Sequence, residues 1–283
     1  MSWNNRGGCA SNAAVDLEKI GIKTAVIGRV GNDGFGSFVI DKMKQNGVNV
    51  EGIWVSNTSK TSASVVTIRS SGERSFLHHI GANADFMLDD VNFSIIHNSK
   101  VLFIAGALLM PRFDGSPSAK ILKIARQEKI ITVMDTSWDS TGKWMQQIKP
   151  CLSYIDYFLP SREEAEMISG KSNPEEIADV FLDAGVKVAV IKLGSSGCFL
   201  KNKTGEHFYI EAFGDIKAVD TTGAGDSFAA GFITGIIRGW DLPSCCTFAN
   251  AVGANCVMKV GATSGVKSLD EIRNFIDSYT KRY

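Results

Sequence analysis

The chain has 283 residues, 44% hydrophobic and 21% charged, which supplies a sizeable core and argues against disorder. Lys plus Arg and Asp plus Glu balance at 30 each with no basic block, so neither nucleic acid nor an anionic membrane is expected as the main partner. Six Cys without a CxxC pair and four His without zinc spacing read as buried free thiols in a reducing cytosol.

MSWNNRGG carries no apolar signal segment, and no run reaches the roughly 18 apolar residues of a membrane span, so a cytoplasmic protein is expected. CASNAAVDLEKIG follows as a helix. Ala10, Ala13, Ala14 and Leu17 share one face, and Gly21 closes the end. KTAVIGRV reads as a buried strand and GFGSFVIDKMKQNG as a second helix ending at Gly47, with Asp33 in a turn or cap role. VNVEGIWVS, SASVVTIRS and RSFLHHI are three strand-like runs with no helix between them, and SSGE at 70–73 is a turn signal joining the last two. Residues 48–81 therefore read as a small antiparallel sheet, a lid on an α/β domain formed by 1–47 and 82–283.

Alternation then resumes. VLFIAG, IITVMD, YIDYFLP, KVAVIKLG and GCFLK read as strands, SAKILKIARQEK and SREEAEMISG as helices, and the last 60 or so residues as mostly helical. The expected fold is α/β: a doubly wound, mainly parallel sheet with helices on both faces, plus the antiparallel β lid.

The chemistry gathers in AVDTTGAGDSFAAGF, 218–232. IKAVD reads as the end of a strand, TTGAG as a turn and DSFAAGFITGIIRG as a helix. First-turn amides of a helix lack intrahelical partners, and the dipole adds partial positive charge. Gly223, Ala224 and Gly225 carry almost no side chain, so an anion can reach those N–H groups. No GxxxxGK[ST] run exists, so this is not the common P-loop. Asp226 opens that hole either as a helix cap or as a general base taking a proton from a hydroxyl that attacks a bound phosphate; the two are not exclusive.

DTTGAGDSFAAGF closely resembles the C-terminal signature of the ribokinase-like (PfkB) carbohydrate kinases. GGCASNAAVDLEKIG followed by AVIGRVGNDGFG resembles their N-terminal signature, and GERSFLHHIGANADF, DTSWD and FANAVGANCVMKVGATSG resemble family segments in the expected order. The resemblance covers nearly the whole chain. It implies an ATP-dependent sugar kinase in which Asp226 is the base and Gly223, Ala224 and Gly225 hold the transferring γ-phosphoryl. It implies nucleotide contacts from the KLGSSG loop through Lys192, Gly194, Ser195 and Gly197, where Gly194 and Gly197 let backbone approach the ligand, and from Asn250 near the adenine. Gly7, Gly8, Asn12 and Asn83 would face the sugar. Glu164, in SREE where the family has NxxE with Ser161 in place of the Asn, would serve Mg²⁺. Asp220, with carbonyls of the Gly261–Gly265 loop, would serve a monovalent cation, K⁺. Read without the resemblance, KLGSSG is a hairpin turn, Asp220 a turn residue, Asn12 and Asn250 helix amides, and Glu164 a first-turn carboxylate.

Family members usually begin with an apolar strand ending in an Asp that grips sugar hydroxyls, well before the GG pair. Here Gly7 follows Met1 almost at once, and no downstream residue obviously substitutes for that Asp: either the sequence begins late or the variant is shortened, and in the second case loss of the Asp would weaken sugar binding. Two rival readings follow: a nucleoside or vitamin kinase of the same superfamily, and a non-catalytic ligand-binding relative. An exposed lid face would pair with a second copy, giving a homodimer.

Overall fold

β-Branched apolar runs become the strands and amphipathic stretches become the helices, over residues 7–68 and 74–280 described by the computed structural model. The strands are β1 (Ala25–Gly31), β2 (Asn49–Ser56), β3 (Ala63–Ile68), β4 (Arg74–His79), β5 (Val101–Ala107), β6 (Ile131–Thr136), β7 (Tyr157–Phe158), β8 (Val188–Lys192), β9 (Cys198–Asn202) and β10 (His207–Ile210). The helices are α1 (Cys9–Ile20), α2 (Gly34–Gln45), α3 (Phe93–His97), α4 (Ser116–Gln127), α5 (Met145–Leu152), α6 (Arg162–Ser169), α7 (Pro174–Asp183), α8 (Ala224–Ile237), α9 (Leu242–Val257) and α10 (Leu269–Thr280).

A six-stranded sheet in the order β10-β9-β8-β7-β6-β5 forms the centre. β5 to β8 pair in parallel, and β9 and β10 close the edge as antiparallel additions. One face is covered by α4, α5, α6 and α7 through residues such as Ile121, Leu152, Ile168 and Phe181. The other is covered by α1, α8, α9 and α10 through Leu17, Phe232, Phe248 and Ile272. This is the doubly wound, mainly parallel sheet expected from the alternation, with a separate antiparallel pair, β3 and β4.

Two expectations need correcting. The three strand-like runs do not make one sheet. β2 pairs in parallel with β1 in a two-stranded sheet of its own. The 12-residue α2 between them carries the chain back to the starting end, and such a crossover permits only parallel pairing. Of these three runs only β3 and β4 pair with each other, antiparallel; the SSGE turn lies outside the described residues. IKAVD is not a strand. The Val219 and Asp220 amides instead donate to Val257 O at 2.8 and 3.2 Å, at the end of α9.

The caps agree better with the sequence. Gly21 ends α1 at φ 99°. Asp33 caps α2 and does more: Oδ1 accepts from Gly36 N (2.9 Å) and Thr61 Oγ1 (2.7 Å), and Oδ2 from Thr61 N (2.8 Å). One carboxylate thus pins the helix to the segment that enters the β3–β4 hairpin. These bonds, the Thr61 amide first, pull the Asp33 pKa down to about 2. A depressed carboxylate gives stability that is present above about pH 4 and lost as pH falls towards 2. Asp33→Ala is expected to lose about 1 kcal/mol in urea unfolding at pH 7, and the gap from wild type should close between pH 4 and pH 2.5.

Candidate active site

In a doubly wound sheet the carboxyl ends of the strands point at one crevice, and ligands bind there. Asp135 lies at the end of β6, Lys192 ends β8, and Glu164 sits in the first turn of α6, which follows β7. The start of α8 comes up to the same end. Four elements far apart in sequence therefore converge.

α8 begins at Ala224 with Gly223 as its cap residue, at φ 80°. A side chain at Gly223 would lie 2.3 Å from Ala262 O, so only glycine lets the turn pass under that loop. The Ala224 amide bonds Thr221 O at 3.3 Å, whereas those of Gly223 and Gly225 make no hydrogen bond among the described residues. They are the amides that an incoming anion can take.

Asp226 does not cap the helix. It is the third residue of α8, and its Oδ2 accepts from Asn12 Nδ2 of α1 at 2.8 Å. Burial of the carboxyl raises its pKa, opposed by the Asn12 bond and by the charge of Lys192. The Asn12 amide is itself buried, and its Oδ1 has no partner, so an acceptor stands ready beside the Asp226 carboxyl group. Cys9, one turn earlier, shares a 3.5 Å contact with Ser137 Oγ; burial, then the charge of Asp226, hold its thiol well above its usual pKa. A second tie joins the same helices: Ser227 Oγ donates to Asp16 Oδ2 at 2.6 Å.

Lys192 Nζ pairs with Asp135 Oδ2 at 2.5 Å, and both side chains are largely withdrawn from solvent. Burial raises the Asp135 pKa to about 7 in spite of the lysine. Burial favours the neutral amine of Lys192, but Asp135, Glu164 and Asp226 together outweigh it and its pKa is raised. Glu164 Oε2 accepts from Thr136 Oγ1 (2.9 Å) and Ser161 N (3.1 Å). Its Oε1 accepts no bond among the described residues and could serve as a ligand to Mg²⁺. No group of three metal-ligating side chains occurs among the described residues. Mg²⁺ needs none, because it is commonly held by one or two carboxylates with substrate phosphates and water.

The remaining expected residues divide. Gly7 and Gly8 are exposed at the start of α1, their carbonyls accepting from Ser11 Oγ at 2.9 Å each, within one turn of Asn12. Asp220 accepts from Thr222 N (3.0 Å) and Gly261 N (2.9 Å), which fixes the loop under the α8 turn. Gly194 and Ser195 are exposed on a short turn after β8. Gly197 is not open to a ligand: it is buried, and a Cβ there would meet Ile210 O at 2.0 Å, so the β10 approach is what requires glycine. Asn250 is buried and ties α9 to the end of β10 through Ile210 O (3.2 Å) and Glu211 O (3.0 Å). Asn83 sits on the Gly81–Ala84 turn beyond β4 and makes no hydrogen bond to the Asp226 cluster. The sequence alone assigns Asp135 no role: DTSWD resembles a family segment, but nothing local in that run shows that its first residue faces Lys192.

The sequence profile described as "pfkB family carbohydrate kinase" matches residues 2–269. The chain belongs to the pfkB family of carbohydrate kinases. The kinase is 29% identical over 290 aligned positions to a 5-dehydro-2-deoxygluconokinase of Clostridium perfringens, covering 98% of this chain and 85% of that one. Its fold matches the ribokinase of Thermotoga maritima with a TM-score of 0.81 at 26% identity, over 96% of this chain and 87% of that one. It matches an E. coli structure described as "a putative Ribokinase II in complex with ATP and Mg+2" with a TM-score of 0.84 at 25% identity, over 100% and 94%. A sugar kinase of this family moves a phosphoryl group to a sugar hydroxyl. Among the described residues no helix is long and apolar enough to cross a membrane.

If Asn12 holds Asp226 in its ionised form, Asn12→Ala should raise the Asp226 titration midpoint, read by carbon-13 NMR of the carboxyl group. An unmoved midpoint would mean that the 2.8 Å bond carries no weight.

Proposed function

We propose that Asp226 is the general base of this kinase. It takes the proton of a sugar hydroxyl as that oxygen attacks the γ-phosphorus of ATP. The new O–P bond forms, the bond to the β-phosphate oxygen breaks, and ADP leaves. The observation that carries this reading is the Asp226 carboxylate held by Asn12 beside the open α8 amides. The open amides of Gly223 and Gly225, on either side of Ala224, whose amide bonds Thr221 O, face the charge that gathers on the transferring group, and such preorganised donors act strongly where water is excluded. When bound, Mg²⁺ draws charge from the phosphate oxygens; Glu164 would hold it, through water or directly. Lys192, Gly194 and Ser195 take the nucleotide, and Asn250 shapes the wall behind it. Asn12, Gly7, Gly8 and Asn83 take the sugar, with the unpartnered Asn12 Oδ1 supporting the first of these.

Asp220 and the Gly261–Gly265 loop are suited to a monovalent cation such as K⁺. A loop carbonyl, Thr263 O, already receives the Lys19 ammonium at 2.5 Å. Six free cysteines suit the cytoplasm. The relatives named above favour a sugar over a nucleoside or vitamin as acceptor, and a panel of sugars, sugar acids and nucleosides decides among them. Asp226→Asn should keep ATP affinity within about threefold and lose between 10² and 10⁴ in kcat, the range for a general base. Wild-type turnover in that variant would remove Asp226 from the chemistry.

The β3–β4 hairpin supports a homodimer. Val65 and Leu77 form a cross-strand pair, 55% and 69% exposed, on a two-stranded sheet that by itself is only marginally stable. Light scattering at micromolar concentration should give twice the chain mass, and Leu77→Glu should return it to one. A wild-type monomer would end the proposal.

A further inference from the structure

Lys192 ends β8 and reaches across the end of β7 to Asp135 on β6, where a shorter side chain would fail to span the sheet. Its ammonium also lies beside the first turn of α8: a Cβ placed on Gly225 would be 3.2 Å from Nζ and would meet no other side chain within 4 Å. Gly225 is thus a glycine whose missing side chain leaves room for a cation. An ammonium has three N–H donors. Asp135 takes one, and among the described residues no other acceptor bonds Nζ. Two donors therefore remain unused in a site almost closed to water, on an ammonium that lies against the first turn of α8. Moving an ammonium out of water is costly, and it persists only where opposite charge compensates. Asp135 supplies that charge in direct contact, with Glu164 and Asp226 farther off.

We propose that Lys192 is a side-chain member of the anion hole, donating to the oxygens of the transferring phosphoryl group opposite the α8 amides, and that Asp135 is the positioning residue that holds its ammonium there. This rests on the kinase reading of the α8 turn. It changes the part played by Lys192 from one contact of an exposed nucleotide loop to a contact with the reacting group itself. Lys192 keeps its protons throughout: the hydroxyl proton goes to Asp226, and the lysine contributes charge and hydrogen bonds only. Asp135 touches neither substrate. Its Oδ1 accepts from Thr136 N at 2.9 Å, which fixes the plane of the carboxyl group and leaves Oδ2 aimed at Nζ.

The measurements are steady-state kinetics with a sugar the enzyme turns over, and the affinity for MgADP with and without aluminium fluoride, a planar mimic of the transferring group. In Lys192→Met, kcat should fall by about 10²-fold, as when one oxyanion-hole donor is removed. The sugar KM and the MgADP affinity should stay within about threefold, and the gain in affinity on adding aluminium fluoride should vanish. Asp135→Asn should lower kcat about tenfold at unchanged sugar KM, and Asp135→Glu should restore part of it. A merely structural ion pair would lower Tm in all three variants without this split. A folded Lys192→Met with wild-type kcat, or one that still tightens with aluminium fluoride, overturns the assignment. Should that variant not fold, wild-type kcat in Asp135→Asn overturns the positioning role by itself. If Asp226→Asn is dead while Lys192→Met is fully active, only this inference fails; if Asp226→Asn is active, the reading beneath it fails first.

Discussion

The Lys192–Asp135 ion pair fixes how the active end of the sheet is put together. A charge withdrawn from water on β8 must find its counter-charge within contact distance, and the nearest one stands two strands away on β6. The strand ends between them are therefore held level. The Ser161–Lys192 bridge and the bond from Lys192 N to Pro160 O keep the segment after β7 in step with β8. Glu164, one turn into α6, is clamped by Thr136 from β6. Carboxylates that would repel one another are gathered around one ammonium, which compensates all of them in part.

The second constraint is the contact between α1 and α8. Asn12 meets Asp226, and Asp16 meets Ser227, so the two glycine-led turns that begin these helices are held at one place. Each helix starts with glycine where its backbone must stay bare, Gly8 for α1 and Gly223 for α8. The buried part of each helix then carries the apolar side chains that join the core beneath. Charge sits at the turn and packing sits below it, so the Asp226 carboxylate is placed by a rigid scaffold rather than by a loop.

Much of this was legible from local pattern. Gly21 as the end of α1, Asp33 as a cap and the glycines before α8 follow from backbone rules that act within a few residues. α7 carries local start signals: Asn173 accepts from the amides of Glu175 and Glu176, Pro174 follows, and two acids occupy the first turn. β10 was harder, because a four-residue edge strand of alternating exposure carries little periodicity. β2 misled because strand identity is local while strand partnership is not; α2 decided it by returning the chain parallel to β1. Gly197 misled in a similar way, since its φ of 92° is visible as a turn while Ile210, the neighbour that forbids a side chain, comes from another strand.

By itself the sequence determined most of the strands and helices, the two glycine-rich turns and the acid that follows the second, since these depend on side-chain type and short spacing. The tertiary structure alone decided that Asp226 is bonded to Asn12 instead of capping its own helix, and that Asp135 faces Lys192. Those pairs span 214 and 57 positions. No local rule joins residues so far apart; they meet because both faces of one sheet must be covered, and covering them brings α1 against α8 and levels the ends of β6 and β8.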